Sequence, residues 1–89
     1  MKSAKITISG LVQGVGYRYF CYKKALEYDI KGYAKNLYNG NVEVLAQGDE
    51  SLIRGFIKDL NIGPHYASVK SLKAEETDDE KVYLEFSIY

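Results

Sequence analysis

The segment Gly10-Leu11-Val12-Gln13-Gly14-Val15-Gly16-Tyr17-Arg18 holds the residue types with the clearest chemistry. Gly10, Gly14 and Gly16 read as a tight loop, and a helical apolar period begins at Tyr17 directly after it. A glycine-rich turn feeding a helix N-terminus can aim several main-chain N–H groups at one point. With the positive end of the helix dipole, those donors make an anion site. Arg18 falls in the first helical turn, where a cation opposes the dipole. A guanidinium can bind a phosphate through two parallel hydrogen bonds, which would offset that position. The alternative is that the glycines only permit the turn and Arg18 is a surface charge. Residue types and spacing leave both readings open. The loop is not a Walker loop, because no Gly-Lys-Ser/Thr closes it, and its glycine spacing is not a dinucleotide fingerprint.

Little else in the chain offers reactive chemistry. A single cysteine, Cys21, excludes an internal disulfide framework and a multi-thiolate metal site, and a single histidine, His65, leaves no histidine-based zinc centre. Cys21 lies on the apolar stripe of the first helix, where core packing is the expected role. His65 follows Gly63-Pro64 and is expected on a surface loop. The 89 residues suit one domain, spanning 1–89. Twelve Lys and Arg balance twelve Asp and Glu, which argues against a protein whose main task is gripping nucleic acid. Charged residues interrupt every apolar run, so no membrane helix is expected. Met1-Lys2-Ser3-Ala4-Lys5 leads into a strand pattern rather than a signal peptide, so a cytoplasmic protein is expected. A monomer without cofactor or metal is a separate expectation.

The elements that must position the loop follow from periodicity. Ala4, Ile6 and Ile8 alternate with Lys5, Thr7 and Ser9, a half-buried strand. Tyr17, Cys21, Ala25 and Tyr28 share one face of a helix that should end near Asp29. A second strand is expected over 31–37, and Asn39-Gly40 suggests a type I′ hairpin into a third strand over 41–47. Asp49 is the expected N-cap of a second helix with Leu52, Ile53, Phe56, Ile57 and Leu60 inward, ended by Asn61-Ile62-Gly63-Pro64. A weaker strand surrounds Val69 and Leu72. The acidic run over 75–80 is expected as a solvated hairpin loop, and Val82, Leu84, Phe86 and Ile88 mark a last strand. The order βαββαβ, with a closing hairpin formed by the last two strands, predicts an α+β ferredoxin-like sandwich. Its antiparallel sheet would carry both helices on one face.

Val12-Gln13-Gly14-Val15-Gly16-Tyr17-Arg18 resembles the signature of the acylphosphatase family, usually Val-Gln-Gly-Val-x-Phe-Arg. Gly32-Tyr33-Ala34-Lys35-Asn36-Leu37-Tyr38-Asn39-Gly40-Asn41-Val42-Glu43 resembles its second signature. Gln47-Gly48, Gly63-Pro64, Ala67-x-Val69 and Phe86-Ser87-Ile88 follow the same pattern, so the resemblance spans nearly the whole chain. It implies metal-free hydrolysis of the carboxyl–phosphate bond of a small acyl phosphate. It further implies that Arg18 binds the phosphate and Asn36 orients the attacking water. The main-chain N–H groups of Gln13, Gly14, Val15, Gly16, Tyr17 and Arg18 would cradle the phosphate. Tyr17 stands where the family has Phe, Tyr33 where it has Trp, Ala34 where it has Val, Asn39 where it has Asp, and Asp29 where Gly is common. The hydroxyl of Tyr17 therefore needs a partner.

The same element order also fits the RNA-recognition motif. Lys31-Gly32-Tyr33-Ala34-Lys35-Asn36-Leu37-Tyr38 partly matches its longer signature. Thr7 and Lys35, however, stand where stacking aromatics are needed, and that segment falls on the second strand rather than the third. A catalytically silent module that binds an anion is the third reading.

Overall fold

In a computed structural model, residues 1–78 and 81–89 are described. The alternation around Ile6 builds β1 (Lys2–Leu11), which is longer than its apolar core pattern suggests. It is followed by α1 (Tyr17–Glu27), β2 (Lys31–Asn36), β3 (Val42–Gly48), α2 (Glu50–Ile62), β4 (Ser68–Glu76) and β5 (Phe86–Ile88). These strands form one sheet in the order β4-β1-β3-β2-β5. Ala4, Ile6 and Ile8 of β1, Ala34 of β2, and Val42, Val44 and Ala46 of β3 face a common core. Tyr17, Cys21 and Ala25 of α1 and Ile53, Phe56 and Leu60 of α2 close that core from the same side. The ferredoxin-like sandwich expected from the pattern is thus the observed architecture. Cys21 is fully buried there, and burial pushes its thiol up to about 12, as befits a packing residue.

Three features at the C-terminal end differ from the sequence reading. β4 and β5 form no closing hairpin, for they lie on opposite edges of the sheet. β4 pairs antiparallel with β1, whereas β5 pairs parallel with β2, so the sheet is mixed. The acidic run is therefore not a hairpin loop. Glu75 and Glu76 end β4, with Lys2 paired to Glu76, and Asp79 and Glu80 lie outside the described residues.

The last strand is also shorter than the alternation of Val82, Leu84, Phe86 and Ile88 suggests. Val82 and Leu84 are exposed, because the chain around 81–83 rests on the helix-free face instead of joining the ladder. Gln47 of β3 points to that face. Its amide donates to the Lys81 carbonyl (2.6 Å) and its Oε1 accepts from the Tyr83 N–H (3.0 Å). One side chain thereby does the work of a strand partner, and both Gln47 and Leu45 become buried on a face that would otherwise meet water.

The β2–β3 hairpin departs from type I′. Leu37 N–H donates to the Asn41 carbonyl and Gly40 N–H to the Leu37 carbonyl, leaving a three-residue loop. Only Gly40 in it takes positive φ, while Asn39 Oδ1 accepts the Asn41 N–H (3.0 Å) and stabilises the turn from its side chain. Asp29 adopts φ 54, in the left-handed region that favours glycine.

Asp49 caps α2 as expected. Its carboxylate accepts from the Ser51 hydroxyl (2.6 Å) and the Ser51 and Leu52 N–H groups (2.9 and 3.4 Å). The Ser51 hydroxyl, then those N–H groups, hold its pKa below the usual aspartate range. A depressed folded-state pKa gives stability that is present above the unfolded value and lost as pH falls through the folded one. Asp49→Ala should therefore be less stable than the parent at pH 7, with the gap narrowing on acidification to about pH 3. Urea unfolding at both pH values checks this; a pH-independent gap would remove the charge from the explanation.

Candidate functional site

The site begins where β1 stops pairing with β3. Ile8 is the last β1 residue opposite β3, at Val42, and the register with β4 shifts between Ser9 and Gly10. Residues 10 and 11 continue on β4 alone, which turns the chain away from β3. Val12 then buries its side chain in the core and Val15 packs against it, so the loop is pinned from inside. Gly14 (φ 75) and Gly16 (φ 80) both occupy the left-handed region that an L side chain enters only with strain. Gly16 is also the N-cap of α1, and having no side chain it cannot satisfy the helix's first N–H groups. The Gly16 carbonyl starts the helix by accepting from Phe20 N–H (3.1 Å). The donors of the first turn have no side-chain cap and can donate to an anion, and no acidic residue in that turn would repel one.

Beside the loop lies a hollow of about 170 Å³, lined by Val12, Gly14, Gly16, Tyr17, Arg18, Tyr19 and Ile88. The Arg18 Nη1 donates to the main-chain oxygen of Tyr89, a residue far away in the chain. Tyr89 N–H in turn donates to the Ala34 carbonyl of β2 (2.9 Å), so the arginine is tethered through the end of β5 to the neighbouring strand. Gln13 turns its amide to the hairpin, donating to the carbonyls of Leu37 and Asn41, both at 2.8 Å.

Of the loop residues named from the sequence, Gly14, Gly16, Tyr17 and Arg18 line this hollow, whereas Gln13 and Val15 do not. Asn36 does not line that hollow. It is exposed at the end of β2, opposite Val42 and one residue before the carbonyl that Gln13 engages. Sequence reasoning missed Tyr89 and Ile88 as site neighbours, and the reach of the Gln13 side chain. Tyr89 and Arg18 are 71 positions apart, and the contact is to a main-chain atom, which no residue type signals.

Tyr17 resolves the question of its extra hydroxyl. Its ring is buried in the core, and its Oη donates to the Leu60 carbonyl (2.7 Å) in the last turn of α2. That carbonyl is among the four that an α-helix leaves without an intrahelical donor. Burial, with a smaller contribution from Cys21, drives the phenol far above its ordinary pKa, so it stays a neutral donor. The helix that carries the site's amides is thereby bolted to the second helix. Farther from the loop, partial burial pushes Glu43 up. The Tyr33 hydroxyl, Lys5 and Lys35 together outweigh that and hold its pKa below the ordinary value.

The family model described as Acylphosphatase matches residues 4–88. The chain is 42% identical over 88 residues to the acylphosphatase of Thermotoga petrophila, covering 99% of this chain and 97% of that protein. It is 49% identical over 76 residues to the acylphosphatase of Vibrio vulnificus, covering 85% and 84%. Its backbone is similar to the crystal structure of acylphosphatase from Bacillus subtilis. The TM-score there is 0.95 at 32% identity, over 100% of this chain and 99% of that one.

Tyr17→Phe should cost roughly 1 kcal/mol by leaving the buried Leu60 carbonyl without its donor. For a domain of this size that corresponds to about 4–8 °C in Tm. Thermal and urea unfolding read it directly; unchanged stability would mean that water replaces the phenol.

Proposed function

The chain belongs to the acylphosphatase family, and on that premise we propose that Arg18 and the 13–18 loop hold the substrate phosphate while Asn36 orients the water that attacks it. The family reaction is hydrolysis of an acyl phosphate to a carboxylate and inorganic phosphate. The observation that carries the assignment is the loop itself. Two left-handed glycines precede α1, which has no side-chain cap, and Arg18 lines the same hollow as both glycines.

The chemistry asks for little more. The leaving group is a carboxylate, a weak base, so no strong general acid is required. Phosphoryl transfer is loose, with charge spread over the equatorial oxygens. Positive potential already in place lowers the barrier most, and Arg18 with the main-chain N–H groups of Gln13, Gly14, Val15, Gly16, Tyr17 and Arg18 supplies it without reorganisation. Asn36 offers an amide carbonyl to accept from the water and an amide N–H to donate. It is not a base, so the water's proton passes to the phosphate. The new bond joins water oxygen to phosphorus as the bond from phosphorus to the carboxylate oxygen breaks. Positioning is then the remaining contribution.

The tether from Tyr89 bears on this role. A free arginine side chain would lose rotamer freedom on binding phosphate, whereas one already held by a main-chain oxygen has lost part of it. We further propose that residues 1–89 act as a single domain. We infer a cytoplasmic monomer acting on a small acyl phosphate, with no nucleic-acid partner, cofactor or metal. Zero net charge supports the absence of a nucleic-acid partner. No helix among the described residues is long and apolar enough to cross a membrane.

Release of carboxylate from benzoyl or acetyl phosphate in the presence of a chelator tests the reading. Arg18→Ala should remain folded and lose at least roughly 10³-fold in turnover, as phosphoryl-transfer arginines do. Near-normal turnover would overturn its role. Asn36→Ala should lower kcat by roughly 10²-fold, as loss of one preorganised group does. A rise in KM alone would make Asn36 a binding residue instead.

A further inference from the structure

The phosphate loop and Asn36 belong to different parts of the sheet. The loop follows β1, and Asn36 ends β2, but β3 lies between those two strands. Val42 at the start of β3 is opposite Ile8 on one side and Asn36 on the other. Beyond Ile8, however, β1 leaves β3 and runs on β4 alone. By the time the chain reaches Gly14 and Gly16, the sheet no longer fixes the distance from the loop to the end of β2.

Gln13 restores that connection. Its amide nitrogen has two hydrogens, and both are used, one on the Leu37 carbonyl and one on the Asn41 carbonyl. These two residues close the hairpin, since Leu37 N–H also donates to the Asn41 carbonyl (2.8 Å). The fork therefore straddles the hairpin mouth, immediately beyond the Asn36–Val42 pair. Sliding the loop along the strands or away from them breaks both bonds together. We propose that the Gln13 side chain is a positioning residue: it locks the phosphate loop to the hairpin and so sets where Asn36 stands relative to the bound phosphate. This rests on the roles proposed above for the loop and Asn36. It adds a function for the Gln13 side chain, distinct from any contact its main chain makes with phosphate.

The assignment separates binding from chemistry. The shape of the cradle is set within the loop, by Gly14, Gly16 and the start of α1. Loss of the fork should leave phosphate affinity nearly intact and displace the water-orienting group, and a displacement of about 1 Å can cost 10²-fold in rate. Two variants without the donor pair, Gln13→Met and Gln13→Glu, would be assayed beside the parent for kcat, KM and competitive inhibition by inorganic phosphate. Each would also be measured in an Asn36→Ala background, with circular dichroism and melting temperature confirming the fold. The expected result is a kcat lowered at least roughly tenfold, inhibition by phosphate within about threefold of the parent, and little further loss when Asn36 is already absent. An unchanged kcat, phosphate affinity falling in step with kcat, or losses that multiply with those of Asn36→Ala would each overturn it. So would failure of both variants to fold, which would make Gln13 a folding residue. If the parent itself hydrolyses no acyl phosphate, or Arg18→Ala hydrolyses it normally, the underlying reading fails rather than this extension of it.

Discussion

The N–H groups in the first turn of α1 have no partner within the helix, and Gly16 has no side chain to cap them. Leaving them free for an anion is useful only if the chain that carries them stays still. Much of the surrounding structure meets that constraint. Val12 and Tyr17 enter the core on either side of the glycines, so the loop is anchored at both ends by apolar burial. The Tyr17 hydroxyl adds a bond to the end of α2, fixing the helix against rotation about its own axis. Polar ties then act from outside the core, through Gln13 to the hairpin and through Arg18 to the end of β5. The left-handed glycines make the shape accessible, apolar burial and the Tyr17 bond make it persistent, and the two polar ties fix its place against the hairpin and the end of β5.

Arg18 illustrates how a locally unfavourable choice is tolerated. A cation in the first turn of a helix works against the dipole. Here the guanidinium donates to the main-chain oxygen of Tyr89, an acceptor that partly offsets the positive end of the helix. β5 is only three residues long and pairs parallel at the edge of the sheet, yet its alignment with β2 brings that oxygen to the arginine. A strand that contributes little to the core by its length therefore contributes to the site by where it ends.

Much of this was legible from residue types. The alternation in β1, the stripe on α1, the Asp49 cap and the amphipathic α2 are local patterns, and each element formed as its pattern requires. The glycine loop was legible for the same reason, since its glycines and arginine are contiguous in the chain. What escaped was long-range. The parallel pairing of β5 with β2 depends on the path of the connection, not on alternation within 82–88. Gln47 looks like an ordinary polar strand residue, yet it replaces a whole ladder pairing by bonding the Lys81 and Tyr83 main chain. Once that segment lies on the sheet face, Val82 and Leu84 are released to solvent despite their perfect period. The register of a pattern cannot report that its backbone has been claimed by a side chain.

Five of the nine tyrosines, Tyr17, Tyr28, Tyr33, Tyr83 and Tyr89, have roles that do not involve stacking nucleic-acid bases. Tyr17 and Tyr28 pack between the helices and place their hydroxyls on the Leu60 carbonyl and Asp59. Tyr33 stands on the helix-free face, but its hydroxyl donates to Glu43 (2.8 Å) and its ring meets those of Tyr83 and Tyr89 at 6.0 and 5.7 Å. An RNA-recognition sheet needs aromatic faces presented to solvent on its central strands. Here the central strands carry Thr7, Glu43 and Leu45 at such positions, and Leu45 is already covered. The aromatic cluster is an internal support between β2 and the C-terminal segment, adjoining the end of β5 that tethers Arg18. Tyrosine suits this role because its ring fills apolar space while its hydroxyl satisfies a polar group at the boundary. These five rings and hydroxyls tie the helices to each other and β2 to the C-terminal segment, so an abundance of tyrosine here serves packing without a base-stacking surface.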